Sequence, residues 1–256
     1  MSQDIIFSIV PEGKHARTVY LSADNGVIAA GTLNNKIFVD CSTIDTETSL
    51  FIGAELKREN PKSFFYDAPV SGGVLGAEAG TLTIMLGSSP RDENYLLLME
   101  LLGLMGANII ACGRPSLGLV AKLCNNYCSG LIAIATSEAM DIAIRAGLDP
   151  RILKSIFSSS TAQNAQLDKF CPVPGIVPNA PSSNGYKGGF KVQLMKKDFL
   201  LACQTAKSVG AKPLLADVGL RTYAGAAEDP RCVDLDNRVV FRYIGGDEDW
   251  KSKFTD

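Results

Sequence analysis

The sequence predicts an α/β fold in two parts: a mostly parallel sheet flanked by helices, followed by an all-helical domain that one long helix links to it. In residues 1–116, short apolar runs alternate with helical patterns, which is the order of elements found in parallel sheets. Residues 118–146 contain no proline, and Leu, Ala and Ile recur there at helical spacing. A helix of that length measures ~43 Å at about 1.5 Å per residue. We therefore expect two domains, 1–116 and 117–256.

The individual elements follow from apolar periodicity and from the turn residues between them. The predicted strands are the apolar runs 5–10, 36–40, 63–70, 82–86 and 108–113. The predicted helices besides the long one are 13–21, 45–59, 92–105, 149–158, 191–209 and 214–227. Ser42 or Thr43 is expected to cap the helix near Asp45. Residues 171–189 are rich in Pro, Gly and Ser and are predicted to form a long irregular loop.

The composition is that of an ordinary globular protein with a sizeable core. Hydrophobic residues make up 46% of the 256, charged residues 20%, and the net charge is −2. This balance predicts neither a nucleic-acid nor an anionic-membrane surface, and the apolar runs are too short to predict a membrane span. The N-terminus shows neither a signal-peptide pattern nor an Arg-rich transit segment. The seven cysteines predict reduced thiols and an intracellular protein.

No metal site is expected from the cysteines and the histidine. Cys124 and Cys128 lie four residues apart on the predicted long helix, but the chain offers only His15 as an imidazole ligand. Buried structural thiols are therefore favoured over half of a metal site. His15 lies in the polar PEGKH segment and is expected at the surface.

Two patterns suggest chemistry. In DAPVSGG (67–73), a serine followed by two glycines can offer a hydroxyl and bare backbone N–H groups to a small anion, although such a sequence also forms ordinary turns. Lys122 and Asn126 are four apart on the long helix and so share one face. A partly desolvated lysine can exchange protons near neutrality; the alternative is a solvated outer face.

Three segments, in this order, resemble the β-hydroxyacid dehydrogenases. They are DAPVSGG (67–73) continuing into GAEAGTLTIMLG (76–87), GLVAKLCNN (118–126) and LMKKDFLLA (194–202). The resemblance extends from Asp4 to about Gly246. It implies a Rossmann-type sheet and an NAD-dependent oxidation, with NADP not excluded, of a small 3-hydroxy acid to its semialdehyde. The substrate it implies is 3-hydroxyisobutyrate, as in valine catabolism. It also implies a homo-oligomer and, from its nearest members, a mitochondrial location.

The resemblance assigns roles to particular residues. Lys122 matches the catalytic lysine, and Asn126 matches the asparagine that orients lysine and substrate. Ser71, Gly72 and Gly73 match the site of the substrate carboxylate. The cofactor-binding positions that it implies are Val10, Pro11, Thr43, Phe190 and Lys197. Phe190 fits core packing equally well, and Lys197 is alternatively one of two adjacent exposed lysines. His15 stands where many members carry an asparagine near the cofactor.

The Gly-rich G-x-G-x-x-G turn that binds the cofactor pyrophosphate in this family does not occur in the sequence. Residues 1–11 resemble instead the fourth strand of the family's first domain, so only part of the Rossmann-type sheet is expected. The run 5–10 should then lie at a sheet edge, and the chain alone should bind NAD weakly. Two alternatives remain: a different semialdehyde substrate, such as tartronate semialdehyde, or a non-catalytic form.

Overall fold

The computed structural model describes residues 4–31 and 33–254 of the chain, in two compact units that divide between Asn125 and Asn126. The first unit contains two three-stranded sheets and the helices packed on them. The second unit is helical: among its described residues, the one β-type pairing is an isolated bridge between Lys191 and Asp236. The α/β and all-helical parts therefore follow one another as predicted.

The first sheet is parallel, in the order β1-β2-β3. Its strands are β1 (Ile5–Ser8), β2 (Ile37–Asp40) and β3 (Phe64–Asp67). Strand β1 lies at the edge, as predicted. Ser8 pairs with Asp40, and Asp40 pairs with Asp67, so three polar residues end the three strands side by side. The carboxyl edge of a parallel sheet is where ligands bind in open α/β folds.

The predicted strand 63–70 is in fact two strands that belong to different sheets. Strand β4 (Val70–Ser71) pairs antiparallel with β5 (Leu82–Leu86), and β5 pairs parallel with β6 (Gly106–Ala111). Pro69 lies between β3 and β4 and has no N–H to donate. Its neighbour Ala68 donates to Asp40 of the first sheet, whereas the Pro69 carbonyl accepts from Met85 of the second. The chain therefore changes sheets at the proline.

The helices of the first unit pack against both of its sheets. They are α1 (Gly13–Leu21), α2 (Thr46–Glu59), α3 (Gly73–Glu78) and α4 (Tyr95–Gly103). The expectation that Ser42 or Thr43 caps α2 is wrong. The cap is Asp45, whose carboxylate accepts a hydrogen bond of 2.7 Å from the backbone N–H of Thr48. Ile52 and Leu56 then face Phe38 of β2 in the core.

The long predicted helix is α5 (Leu117–Arg145), which starts in the first unit and continues into the second. By length and composition it could cross a membrane, contrary to the sequence expectation, but a core helix passes the same test. Its Ile134 and Met140 are buried in cores of the second unit. Asp67 caps its start, because the carboxylate accepts from the backbone N–H groups of Ser116 (2.7 Å) and Leu119 (2.9 Å).

Gly118 brings α5 close to β5, and its replacement by alanine should destabilise the fold. A Cβ at position 118 would lie 2.1 Å from the carbonyl oxygen of Met85 and 2.8 Å from the Asp67 carboxylate. Helix propensity alone favours alanine by about 1 kcal/mol. Forcing a methyl group against backbone costs up to ~3 kcal/mol, so we expect a net loss of roughly 2 kcal/mol in denaturant unfolding. Gly103→Ala, where a Cβ meets open space, is the control and should not destabilise.

The second unit packs the end of α5 with α6 (Pro150–Ser159), α7 (Ala165–Asp168), α8 (Val192–Ser208), α9 (Ala216–Glu228) and α10 (Val240–Tyr243). Phe199 of α8 and Tyr223 of α9 lie fully buried, with ring centroids 5.4 Å apart. The segment 171–189 is irregular, as predicted, apart from the short 3₁₀ turn Pro181–Asn184.

All seven cysteines are free thiols, but two of them that were expected to be buried are exposed. Cys124 and Cys128 are exposed on α5, so the expectation that both are buried is wrong. Within residues 4–31 and 33–254, no cluster of three His, Cys, Asp or Glu side chains is arranged to hold a metal ion. His15 is exposed on α1, as expected.

Candidate active site

The turns after β1 and β2 are joined by one serine hydroxyl. The Ser42 Oγ accepts a hydrogen bond of 2.8 Å from the backbone N–H of Val10 and donates one of 2.6 Å to Asp40 Oδ1. Val10 and Pro11 follow β1, and Thr43 comes directly after Ser42. The three residues predicted to contact the cofactor in this unit therefore lie in two turns with a direct link, at the carboxyl edge of the sheet.

Asp40 is the acceptor for a buried chain of hydroxyl groups. Its side chain is buried, and its Oδ1 also accepts from Ser8 Oγ at 2.8 Å. The Tyr20 hydroxyl lies 2.5 Å from Ser8 Oγ and extends the chain. Burial raises the pKa of Asp40, while the hydrogen bonds from Ser42 and Ser8 lower it. Burial, and next to it the charge of Asp40, raises the pKa of Cys41 to about 12.

Asp67 is a second buried carboxylate at the same edge, beside Asp40 in the strand register. Burial raises its pKa, the backbone N–H groups of Ser116 and Leu119 lower it, and the charge of Asp40 raises it further. Asp67 is the first residue of the DAPVSGG motif, and no role was predicted for it. Its contacts show that the motif also fixes the start of α5.

The Ser71–Gly73 turn requires its glycines. Ser71 is half-buried and pairs with Thr83 across β4 and β5. Gly72 has φ +143°, and a Cβ there would meet the Leu82 side chain at 2.9 Å. Gly73 has φ +65° and open space where a Cβ would be, so its main chain is accessible. The turn therefore combines a hydroxyl with unshielded backbone, as an anion site requires.

Lys122 and Asn126 lie on the continuous helix α5, one turn apart on the same side. Both side chains are buried, with 7% and 6% of their surface exposed. A solvated outer helix face, the alternative considered for this pair, is therefore excluded. A buried lysine needs a chemical reason to be there, because desolvation disfavours its charged form.

In the second unit, Asn126 and Lys197 share one acidic partner that the sequence analysis missed. The Asn126 side-chain amide donates to Asp198 Oδ2 at 2.5 Å, and Lys197 Nζ lies 3.4 Å from Asp198 Oδ1. Asp198 is 1% exposed and the Lys197 side chain 23%, so Lys197 is not the freely exposed lysine of the alternative interpretation. The signal for Asp198 was present in the KKD of segment 194–202, next to the lysine that was singled out.

Phe190 is half-buried against the core of the second unit and is held at both of its backbone groups. Its N–H donates to Asp236 Oδ2 at 2.9 Å, and its carbonyl accepts from the backbone N–H of Asn237 at 2.8 Å. Gly189, just before it, has φ +71°, and a Cβ there would collide with the Asp236 carboxylate. The position of Phe190 is therefore fixed by a segment that the sequence analysis did not consider.

Two family comparisons match the two parts of the chain. Residues 1–113 match the family described as the NAD binding domain of 6-phosphogluconate dehydrogenase. Residues 117–244 match the family described as NAD-binding of NADP-dependent 3-hydroxyisobutyrate dehydrogenase. The residues singled out above are distributed over both matched regions.

Curated relatives of the chain are named 3-hydroxyisobutyrate dehydrogenase, the enzyme in the description of the second family. The chain is 40% identical over 223 residues to a probable mitochondrial 3-hydroxyisobutyrate dehydrogenase of Dictyostelium discoideum, covering 86% of the chain and 67% of the relative. It is 39% identical to 3-hydroxyisobutyrate dehydrogenase of Pseudomonas aeruginosa, covering 81% and 68%. The rat mitochondrial enzyme is 38% identical, with 86% and 64% covered. The chain thus spans about two thirds of the length of these relatives.

A solved structure agrees with these relatives. The Mycobacterium tuberculosis 3-hydroxyisobutyrate dehydrogenase, solved with L-serine, superimposes with a TM-score of 0.85 at 34% identity, over 95% of this chain and 80% of that one. Fold, matched families and sequence relatives agree over nearly the whole chain. The chain therefore belongs to the β-hydroxyacid dehydrogenase family of NAD(P)-dependent oxidoreductases, among its 3-hydroxyisobutyrate dehydrogenases.

Proposed function

We propose that the protein oxidises 3-hydroxyisobutyrate to its semialdehyde with NAD as hydride acceptor. The observation that carries this proposal is a buried lysine, Lys122, one helical turn before a buried asparagine, in a chain of this family. In the reaction the C3 hydrogen leaves as hydride, the hydroxyl oxygen gives up its proton, and the C–O bond becomes a carbonyl. The bound cofactor supplies the acceptor for the hydride.

Lys122 is the proposed acceptor of the hydroxyl proton. Burial disfavours the charged ammonium form relative to the neutral amine, and the neutral amine is the form that can accept a proton. The hydrogen bond to Asp198 fixes the orientation of the Asn126 side-chain amide, one helical turn from Lys122. We assign Asn126 to orienting the substrate and the lysine.

The residues of the first unit fit the nicotinamide half of the cofactor. The turns at Val10–Pro11 and at Thr43 lie at the carboxyl edge of a parallel sheet, and the buried carboxylate of Asp40 beneath them matches a ligand that is cationic when oxidised. We assign Val10, Pro11 and Thr43 to this half of the cofactor. From the second unit we assign Phe190 and Lys197.

Ser71, Gly72 and Gly73 are assigned to the substrate carboxylate, and Ser71→Ala should chiefly weaken substrate binding. A hydrogen bond to a charged group contributes ~1.5–3 kcal/mol, so KM for the acid should rise roughly ten- to hundredfold. Cofactor affinity, measured by fluorescence titration of NADH, should change little. Ser159→Ala, an exposed serine at the end of α6, is the control. Equal weakening of acid and cofactor would assign Ser71 a structural role instead.

A substrate panel tests the reaction itself. The protein should reduce NAD with 3-hydroxyisobutyrate and not with lactate, whose hydroxyl is on the neighbouring carbon. L-serine belongs in the panel because the Mycobacterium tuberculosis relative was solved with it, and it too carries a 3-hydroxyl and a carboxylate. Tartronate semialdehyde, tested with NADH, covers the remaining alternative. Absence of turnover with every 3-hydroxy acid, together with absence of cofactor binding, would refute the proposal.

Some wider properties remain proposals drawn from the family. We propose that the functional domains meet at the start of α5, as 1–116 and 117–256, and that the protein is a homo-oligomer. Its free thiols fit a reducing, intracellular setting. Relatives named as mitochondrial favour that compartment, although a bacterial relative is equally similar.

A further inference from the structure

The carboxyl edge of the first sheet holds two buried acidic groups. Asp40 and Asp67 are register neighbours, 1% and 2% exposed. Within the described part of the chain, neither forms an ion pair with Lys, Arg or His, and the donors to their carboxylates are hydroxyl and backbone N–H groups. Buried charges in proteins are normally paired, so two such groups at one edge favour a cationic ligand.

The two carboxylates are not equivalent. Asp67 faces the first turn of α5, where two backbone N–H groups and the positive end of the helix dipole offset its charge. Asp40 accepts, among the residues that the structure describes, from the Ser8 and Ser42 hydroxyls and from the Ser42 N–H at 3.3 Å. Hydroxyls solvate an anion but carry no net charge. The negative charge of Asp40 is therefore less compensated at the sheet edge than the charge of Asp67.

Ser42 links the Asp40 carboxylate to the turn that contains Val10. Because Ser42 Oγ accepts from Val10, its single proton is left for Asp40. The Ser8 hydroxyl likewise donates to Asp40, because the Tyr20 hydroxyl can be the donor in the hydrogen bond between Tyr20 and Ser8. The Ser8 and Ser42 hydroxyls both donate to the Asp40 carboxylate, an arrangement that suits its ionised form.

We propose that the charge of Asp40 makes this site favour the oxidised, positively charged nicotinamide over the reduced, neutral one. The inference rests on the proposed function, which places the nicotinamide half of the cofactor at Val10, Pro11 and Thr43. Opposite charges attract much more strongly at a partly buried site than in water. Such a preference favours loading of the oxidised cofactor and release of the reduced one, the order that an oxidation needs.

The ratio of two dissociation constants tests the inference. Kd for NADH is measured by fluorescence titration, and Kd for NAD by competition. Asp40→Asn keeps the shape and the hydrogen-bond acceptor but removes the charge. We expect the ratio of Kd for NAD to Kd for NADH to rise about tenfold, the effect of one partly screened charge pair. Ser42→Ala is the matched control: it breaks the link to Val10 but keeps the charge, so both constants should change by similar factors.

A neutral analogue tests the same point on the unaltered protein, even where Asp40→Asn fails to fold. Benzamide adenine dinucleotide keeps the planar ring and carboxamide of NAD without the positive charge. The parent protein should bind it about tenfold more weakly than NAD. Equal affinity of the parent for NAD and the analogue, or an unchanged ratio in folded Asp40→Asn, would overturn the inference alone. Failure of the parent to bind either cofactor form would refute the proposed function as well.

Discussion

Replacing Lys122 by alanine should lower kcat for 3-hydroxyisobutyrate by roughly 10²–10⁴-fold. This is the loss that typically follows removal of one general acid–base group. The side chain is buried, and we assign no other group to accept the hydroxyl proton. Cofactor binding should be nearly unaffected, because the cofactor is assigned to the turns at Val10–Pro11 and Thr43 and to residues of the second unit.

Lys122→Arg separates proton transfer from charge. Arginine preserves a long cationic side chain but does not deprotonate in proteins, so it should be as inactive as the alanine variant. Lys207→Ala, which removes an exposed lysine from the last turn of α8, is the control and should keep the parent rate. If Lys122→Arg retains activity within tenfold of the parent, the lysine contributes its charge and another group accepts the proton.

The elements that depend on local sequence were predictable. The strands of the first sheet are short apolar runs between turn residues, and helix α5 is a long stretch without proline, so periodicity alone located them to within a few residues. Helix α1 coincides with its prediction because a glycine-containing turn and a polar segment border it.

The errors arose where a choice between neighbours depends on tertiary contacts. Ser42 and Thr43 were the expected caps of α2, but the Ser42 hydroxyl is already hydrogen-bonded to Asp40 and Val10, and Asp45 is the cap. The apolar run 63–70 contains Pro69, where the chain changes sheets. Whether a proline ends a strand in this way depends on which strands pair with the residues on either side of it. Cys124 and Cys128 are exposed because the buried face of α5 is the one with Lys122 and Asn126.

For the site, the sequence identified motif residues but not the groups that hold them. Lys122, Asn126 and Lys197 stood in recognisable segments. Asp198, which contacts Asn126 and Lys197, and Asp40, which accepts from Ser8 and Ser42, are indistinguishable from surface residues until burial is known. An isolated carboxylate is normally exposed, so its position in the core becomes evident only from the fold.

Asp236→Ala should strongly destabilise the second unit. The Asp236 side chain is fully buried and accepts from Arg238 Nη1 at 2.9 Å and from the backbone N–H of Phe190 at 2.9 Å. Arg238 would remain buried, held by Gln166 at 2.9 Å and by the ring of Phe170. Removing one partner of a buried ion pair costs ~3–5 kcal/mol, because the other charge is left uncompensated.

The neighbouring Asp234 gives a matched control for this loss. Its ion pair with Lys191 is also short, 2.8 Å, but both side chains are more than half exposed. Such pairs contribute less than about 1 kcal/mol, so Asp234→Ala should leave the denaturation midpoint nearly unchanged. Adding Arg238→Met to Asp236→Ala removes the stranded charge and should recover part of the stability. If the double variant is no more stable than the single one, the loss comes from the backbone contact at Phe190, and Asp236 acts through that contact rather than through its charge.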